Sequence, residues 1–312
     1  MRYLSANYLF PLHISPIKEG VLQISDEGEI VNIFRNRSEV LQYKLEIFEG
    51  ILCPGFVNAH CHLELSHLLG IAEKGRGFLD FLEAIQQRNS STEIEKQNAI
   101  EKAEQEMIAN GIVAVGDICN TTDTLLQKQK GNLLYYNFIE TFGIHENKID
   151  IIFTQSMELR NEFRTAGQKA TISPHAPYSV PPSLMKKIIE SFDDRDELLS
   201  IHMQETKEEN QLFENKEGYF FDWLNGMSAD VSIWESRKKL IDVLKELKNK
   251  KILLVHNTFT KKKEITENYY CTCPKANLYI ENAMPDYSIF DTDKLCVGTD
   301  SLASNNSLSI LE

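Results

Sequence analysis

The chain predicts an α/β fold, a (β/α)8 barrel of the TIM type preceded by a small β domain. Three observations carry this. Short apolar runs alternate with longer stretches of helical period. Histidine or aspartate recurs just past the apolar runs, as at the carboxyl face of a barrel. Residues 1–50 lack the alternation and suggest a different unit.

The apolar runs, read as strands, are Ile51–Asn58, Ile112–Ile118, Leu134–Thr141, Ala170–Ser173, Leu198–Ile201, Ile252–Val255, Tyr269–Thr272 and Leu295–Gly298, eight in all. Between them lie expected helices at Phe78–Arg88, Thr92–Ala109, Pro182–Ser191 and Ser236–Leu247, with shorter pieces. Pro181 and Pro182 suit a helix start, where a missing N–H costs little. Gly111 after Asn110 suits a helix end. Ahead of the barrel, Val21–Ile24 and Ile30–Phe34 flank Asp26-Glu27-Gly28 and read as a hairpin or meander. The expected domains are therefore a partial β-sandwich over 1–50 and a barrel over 51–312. After the eighth run only Ser301–Glu312 remain, too few for a closing helix and for strands completing the leading domain, so a fragment is expected.

With 33 basic and 46 acidic side chains, the net charge is −13. This disfavours a nucleic-acid polymer as partner, since such binding rests on clustered Lys and Arg. A small molecule is the expected partner, with a homodimer as the expected assembly. The start lacks a secretory pattern, and no apolar run reaches the ~20 residues of a membrane span. Six scattered cysteines suit reduced thiols and a cytoplasmic setting. Cys271 and Cys273 read as strand residues packing as small apolar groups, and Lys261–Glu264 as a solvated helix start.

The strongest local signal is Pro54-Gly55-Phe56-Val57-Asn58-Ala59-His60-Cys61-His62. Side chains at i and i+2 of a strand share a face, so His60 and His62 can converge on one ion. His175, His202 and His256 follow the fourth, fifth and sixth runs, and Asp300 follows the eighth. His13, His67 and His145 do not sit so clearly at strand ends. Three imidazoles and one carboxylate with an open position suit zinc, iron or manganese in a hydrolytic site. Glu205, three residues beyond His202, is placed to shuttle protons, and His256 to orient a nucleophile or polarise an oxyanion.

In order, PGFVNAHCH, SPHAPYSV, IHMQE, LVHNT, CPKANLYI and VGTDSLASN resemble the amidohydrolase superfamily, in the branch of cytosine-, guanine- and adenosine-type deaminases and chlorohydrolases. The resemblance implies one divalent ion, zinc before iron or manganese, on His60, His62, His202 and Asp300. It implies Glu205 as proton shuttle, His256 beside the attacking water, Asp300 as its base and His175 as a contact to the substrate's ring or sugar. Metal-bound hydroxide would attack an amidine-like ring carbon and expel ammonia. Within the branch the chain looks similar to deaminases of aminodeoxyfutalosine, methylthioadenosine or S-adenosylhomocysteine. Phe78, Phe81 and Arg88 are pocket candidates, and Glu140 stands where some homocysteine-nucleoside deaminases present arginine, which tilts the reading toward aminodeoxyfutalosine. Rivals are a guanine- or cytosine-type deaminase or chlorohydrolase, and an inactive metal-binding scaffold or truncated product. Ser301 stands where many relatives have glycine.

Overall fold

The computed structural model describes residues 1–86, 91–192, 197–229, 240–248 and 250–312. Arg88 and the expected helix start at Ser236 lie outside the described residues. The chain divides into two compact units, Met1–Phe56 and Val57–Glu312.

The leading unit holds β1 (Arg2–Ser5), β2 (Tyr8–Leu9), β3 (Ile17–Lys18), β4 (Val21–Ile24), β5 (Ile30–Phe34), β6 (Leu45–Ile47) and β7 (Ile51–Leu52). They form two sheets, ordered β5-β4-β1-β6 and β3-β2-β7. The expected hairpin is β4 paired antiparallel with β5, and Tyr3, Val21 and Val40 form its small core with Phe34 and Leu45. The sequence reading ran Ile51 to Asn58 as one barrel strand, and the structure corrects this. Ile51 and Leu52 pair with Tyr8 and Leu9 in the leading unit. Pro54 cannot donate to a ladder, so pairing stops there and resumes in a new strand.

That strand is β8 (Phe56–Cys61), followed by α1 (Phe78–Ile85), α2 (Glu93–Ala109), β9 (Ile112–Cys119), α3 (Leu125–Lys128), β10 (Leu134–Thr141), α4 (Ile149–Thr165), β11 (Lys169–Pro174) and α5 (Pro182–Glu190). Next come β12 (Leu198–Met203), α6 (Lys207–Asn215), α7 (Tyr219–Gly226), α8 (Leu240–Glu246), β13 (Lys251–His256), β14 (Tyr269–Thr272), α9 (Pro274–Ile280) and β15 (Leu295–Val297). The eight strands form two four-stranded sheets, β11-β10-β9-β8 and β12-β13-β14-β15, with parallel register from β9 to β11 and from β12 to β15. The backbone N–H of His202 donates to the carbonyl of His175 (2.8 Å), and those of Thr299 and Asp300 to the carbonyl of His60 (3.0 Å each).

Local chemistry explains the helix limits. Thr92 caps α2 through a reciprocal box with Glu95, satisfying N–H groups that the first turn leaves free. Asn110 ends it, and Gly111 turns the chain with φ +78°. The largest core lies where α1 and α4 to α8 cover β12 and β13, and includes Leu199, Ile201, Phe213 and Val243. No helix among the described residues is long and apolar enough to cross a membrane.

Gly298 marks the tightest approach between β15 and β8. A Cβ there would stand 2.7 Å from the His60 Cβ and 2.8 Å from its carbonyl oxygen, closer than real contacts allow. Gly298→Ala is expected to displace His60, lowering both thermal stability and bound metal. Elemental analysis of the purified variant checks this, and a full metal complement would refute it.

Candidate metal centre and active site

The strand ends carry the site. His60 sits on β8 and His62 one residue past it, so the period of two turns both rings to one side. His202 lies within β12 and His256 ends β13; both strands run one or two residues further than their apolar runs suggested. Asp300 follows β15 and adopts φ +60°, a left-handed conformation that costs energy in a non-glycine residue. Its carboxylate accepts a hydrogen bond from the Ser304 hydroxyl, which itself touches the Ser301 hydroxyl at 3.0 Å. That leaves the other oxygen facing the imidazoles.

The donor atoms converge. His62 Nε2 lies 3.2 Å from His60 Nε2, 3.3 Å from His202 Nε2 and 3.3 Å from Asp300 Oδ1, and His60 Nε2 lies 3.6 Å from the same oxygen. Ligands about 2.0–2.1 Å from a tetrahedral ion stand roughly 3.3–3.4 Å apart, so the spacing fits one divalent ion. Protonation agrees. His202 Nδ1 is 2.9 Å from the carbonyl of His175, which can only accept, so the proton sits on Nδ1 and Nε2 presents a lone pair. Burial pushes His62 down to about 3 and His202 well below its ordinary value. Burial works to raise Asp300, yet the surrounding imidazoles of His60, His62 and His256 hold it below the usual carboxylate range. Neutral imidazoles beside an ionised carboxylate are what a divalent cation needs.

Beside the ligands stands a second pair. His256 Nδ1 is 2.9 Å from Asn277 Oδ1, leaving Nε2 bare and 3.6 Å from Glu205 Oε1. Burial, then the charges of Asp300, Glu281 and Glu140, pushes the Glu205 carboxyl well above its ordinary value, which favours its acid form. Beneath it, Glu209 accepts the Glu205 backbone N–H at 3.0 Å, and burial pushes its carboxyl up to about 8. Between pH 4.5 and 8 the folded state therefore holds a proton that the unfolded chain has released, so stability falls as pH rises through that window. Urea melts across it are expected to show a shallower slope for Glu209→Gln. An unchanged slope would remove Glu209 as a source.

The site opens into a cavity of about 870 Å³. His175 lines it, with Nδ1 2.7 Å from Ser179 Oγ and its ring 5.0 Å from that of His202; burial lowers it to about 4. Glu140 also lines it, accepting from Asn120 Nδ2 at 3.1 Å and lying 3.6 Å from His202 Nδ1. Phe78 and Phe81 form its wall with Leu82 and Ile85 of α1, opposite Trp223, Leu224 and Met227 of α7 and its following turn. The segment entering α1 is fastened to α9. Gly75 and Gly77 donate to the carbonyls of Tyr279 and Ile280, and Phe78 N–H donates to Glu281 at 3.1 Å.

The structure adds residues that the sequence reading did not single out. Glu64 is buried in the lining and accepts from the Asn120 and Thr121 backbone N–H groups; burial raises it to about 7. His145, set aside as a loop histidine, lines the cavity, as do Tyr178 and Trp223. His67 bonds the Glu64 carbonyl and His13 is exposed in the leading unit. Cys271 and Cys273 are buried free thiols, packed with Leu253 and Val255. The signals for Asn277 and Ser304 were inside quoted motifs, but their partners appear only in space.

An α/β scaffold with imidazoles and a carboxylate converging at its strand ends, beside a cavity, fits a metal-dependent hydrolase. The chain belongs to the amidohydrolase family, whose profile matches residues 51–312. It is 28% identical over 301 residues to an adenosine deaminase of Helicobacter pylori, covering 92% of this chain and 73% of that protein. With an aminodeoxyfutalosine deaminase of Nitratiruptor sp. it shares 24% identity over 272 residues, 84% of this chain and 66% of the relative. The crystal structure of Helicobacter pylori aminofutalosine deaminase in complex with methylthio-coformycin superposes with a TM-score of 0.84 at 25% identity, over all of this chain and 79% of that one.

Proposed function

We propose that the chain hydrolytically deaminates an adenine nucleoside of altered sugar, of the aminodeoxyfutalosine, methylthioadenosine or S-adenosylhomocysteine type. The observation that carries this is the meeting of His60, His62, His202 and Asp300 with Glu205 and His256 at one end of a large cavity. The similarity to an adenosine deaminase and to an aminodeoxyfutalosine deaminase supports it. We also infer that the two parallel sheets close into one eight-stranded barrel, supported by the hydrogen bonds from Thr299 and Asp300 to His60 and from His202 to His175.

His60, His62, His202 and Asp300 would hold one divalent ion, and imidazole donors with one carboxylate suit zinc. Such an ion supplies Lewis acidity and lowers the pKa of water to near neutrality. Asp300, ionised, takes the proton that water loses as it adds to ring carbon 6. Glu205, protonated, gives its proton to the neighbouring ring nitrogen, so charge does not build on the purine. His256, neutral at Nε2 and fixed by Asn277, orients the water. Asp300 then returns its proton to the exocyclic amine, ammonia leaves, and the hydroxyl proton passes to Glu205, restoring it and leaving a 6-oxo purine. His175 contacts the ring or sugar, and α1 excludes water from above.

Ammonia release measured against a panel of adenine nucleosides, with cyclic amides and chlorinated triazines alongside, tests the reading. Activity on a nucleoside is expected. Silence across the nucleosides with turnover of a cyclic amide or triazine would sink it.

A further inference from the structure

We propose that Cys271 and Cys296 form a peroxide-responsive pair, in which Cys296 is oxidised first and Cys271 then closes a reversible disulfide between β14 and β15. This goes beyond the nucleoside reading and stands or falls without it.

Strand register places the two residues together. β14 and β15 run parallel, and Cys271 is the direct partner of Cys296. Neighbouring strands lie about 4.7–4.9 Å apart, inside the roughly 4.4–6.8 Å between Cα atoms that a disulfide spans. Both thiols pack in one cluster with Leu253, Val255 and Ala276. Cys296 Sγ donates to the Tyr270 carbonyl at 3.3 Å, which holds it against the peptide group that leads into Cys271.

Access separates their roles. Cys271 and Cys273 are fully buried, whereas Cys296 is half-buried and open to a small oxidant. A hydrogen bond from the Cys271 thiol lowers the Cys296 thiol below its ordinary value, against the effect of burial, while burial pushes the Cys271 thiol up. A partly exposed thiol of this kind beside a buried one is the arrangement of an attacked and a resolving cysteine. Cys273 also bonds the Cys271 thiol, but it lies past the end of β14, two residues beyond the partner of Cys296.

Hydrogen peroxide serves as the oxidant. The Cys296 sulfur attacks one peroxide oxygen, the O–O bond breaks, and hydroxide leaves with the thiol proton as water, giving a sulfenic acid. The Cys271 sulfur then attacks the Cys296 sulfur. The S–O bond breaks, and the hydroxyl group departs as water with the Cys271 thiol proton. One peroxide takes the two electrons that the two thiols lose.

The purified full chain is treated with hydrogen peroxide, remaining thiols are blocked with N-ethylmaleimide, and the product is digested with trypsin without reductant. Cleavage after Lys263, Lys275 and Lys294 separates the peptide holding Cys271 and Cys273 from that holding Cys296, and fragmentation tells the first two apart. The expected product is a Cys271–Cys296 cross-link, about 2 Da below the sum of the reduced peptides, that dithiothreitol reverses. Cys271→Ser is expected to leave Cys296 as a sulfenic acid that dimedone labels. Cys296→Ser is expected to slow loss of the Cys271 thiol by about tenfold or more. Absence of a cross-link, a link from Cys296 to Cys273 instead, or undiminished oxidation of Cys271 in Cys296→Ser overturns the inference. Should Cys271→Ser fail to fold, the parent chain and Cys296→Ser still decide it.

Discussion

Glu205→Gln is expected to lower kcat by about 10²–10⁴-fold, the usual scale for losing a positioned general acid. Glutamine keeps the shape of the side chain but cannot pass a proton to the ring. The reason to expect so large an effect is the protonation state. Burial and the neighbouring carboxylates push the Glu205 carboxyl well above its ordinary value, and the bare Nε2 of His256 stands 3.6 Å away. Glu205 is absent from the converging ligand groups, so metal content is expected to stay the same. Stability is expected to hold or rise slightly, because a neutral amide replaces a buried acid. Single-turnover rates on metal-loaded protein, with elemental analysis of both proteins, check this. Rates within a factor of about three would assign proton transfer elsewhere.

Asp117→Ala is expected to destabilise the protein by about 3–5 kcal/mol, the cost of breaking a buried ion pair by removing one partner. Lys128 on α3 and Asp117 on β9 are both fully buried and hydrogen-bonded to each other. Burial works against the ammonium, but Asp117 and Cys119 raise its pKa, so it remains charged. It also donates to Asn137 at 2.7 Å, and the rings of Tyr135 and Phe163 lie 5.0 and 5.2 Å from it. Alanine would leave that charge with only amide, thiol and aromatic partners. It would also free Leu63 N–H, which donates to Asp117 at 2.8 Å directly after His62, so metal affinity should fall too. Equilibrium unfolding measures the first effect and metal titration the second. Lys128→Met combined with Asp117→Ala is expected to recover part of the loss, because no charge is then stranded. A single variant within about 1 kcal/mol of the parent would show that the pair is solvated in practice.

Much of this was legible in the chain. The strand pattern emerged from apolar runs, because a strand buried on both faces must be continuously apolar. The candidate ligands could be grouped because a barrel would gather strand ends, and in the structure the donor atoms of His60, His62, His202 and Asp300 come together. What stayed hidden depends on contacts in space. The break at Pro54 is visible, but only the pairing of Ile51 with Tyr8 shows which unit the preceding residues join. Helix α4 is amphipathic but rich in polar residues, and its Ile152 and Leu159 reach the cavity only because α4 packs over β10 and β11. The Lys128–Asp117 pair reads as ordinary surface charge until the side chains are seen to be enclosed. Asn277 and Ser304 lie in motifs, yet nothing local says that one holds His256 and the other Asp300.

The junction between β8 and β15 bears on how the protein is made. Asn58 and Thr299 exchange side-chain and backbone hydrogen bonds across 241 residues of sequence, and the metal ligands straddle the same junction. During synthesis the leading sheets and the first parallel strands can form as they emerge, since their pairings are with near neighbours. The Asp300 carboxylate cannot join the imidazoles until the chain has been made through residue 300. Loop closure over such a span is entropically slow. The candidate metal centre thus assembles after the strands that precede β15, and an ion there would favour the state in which β8 and β15 have met. Mass action would then make metal supply a direct determinant of how much folded protein accumulates.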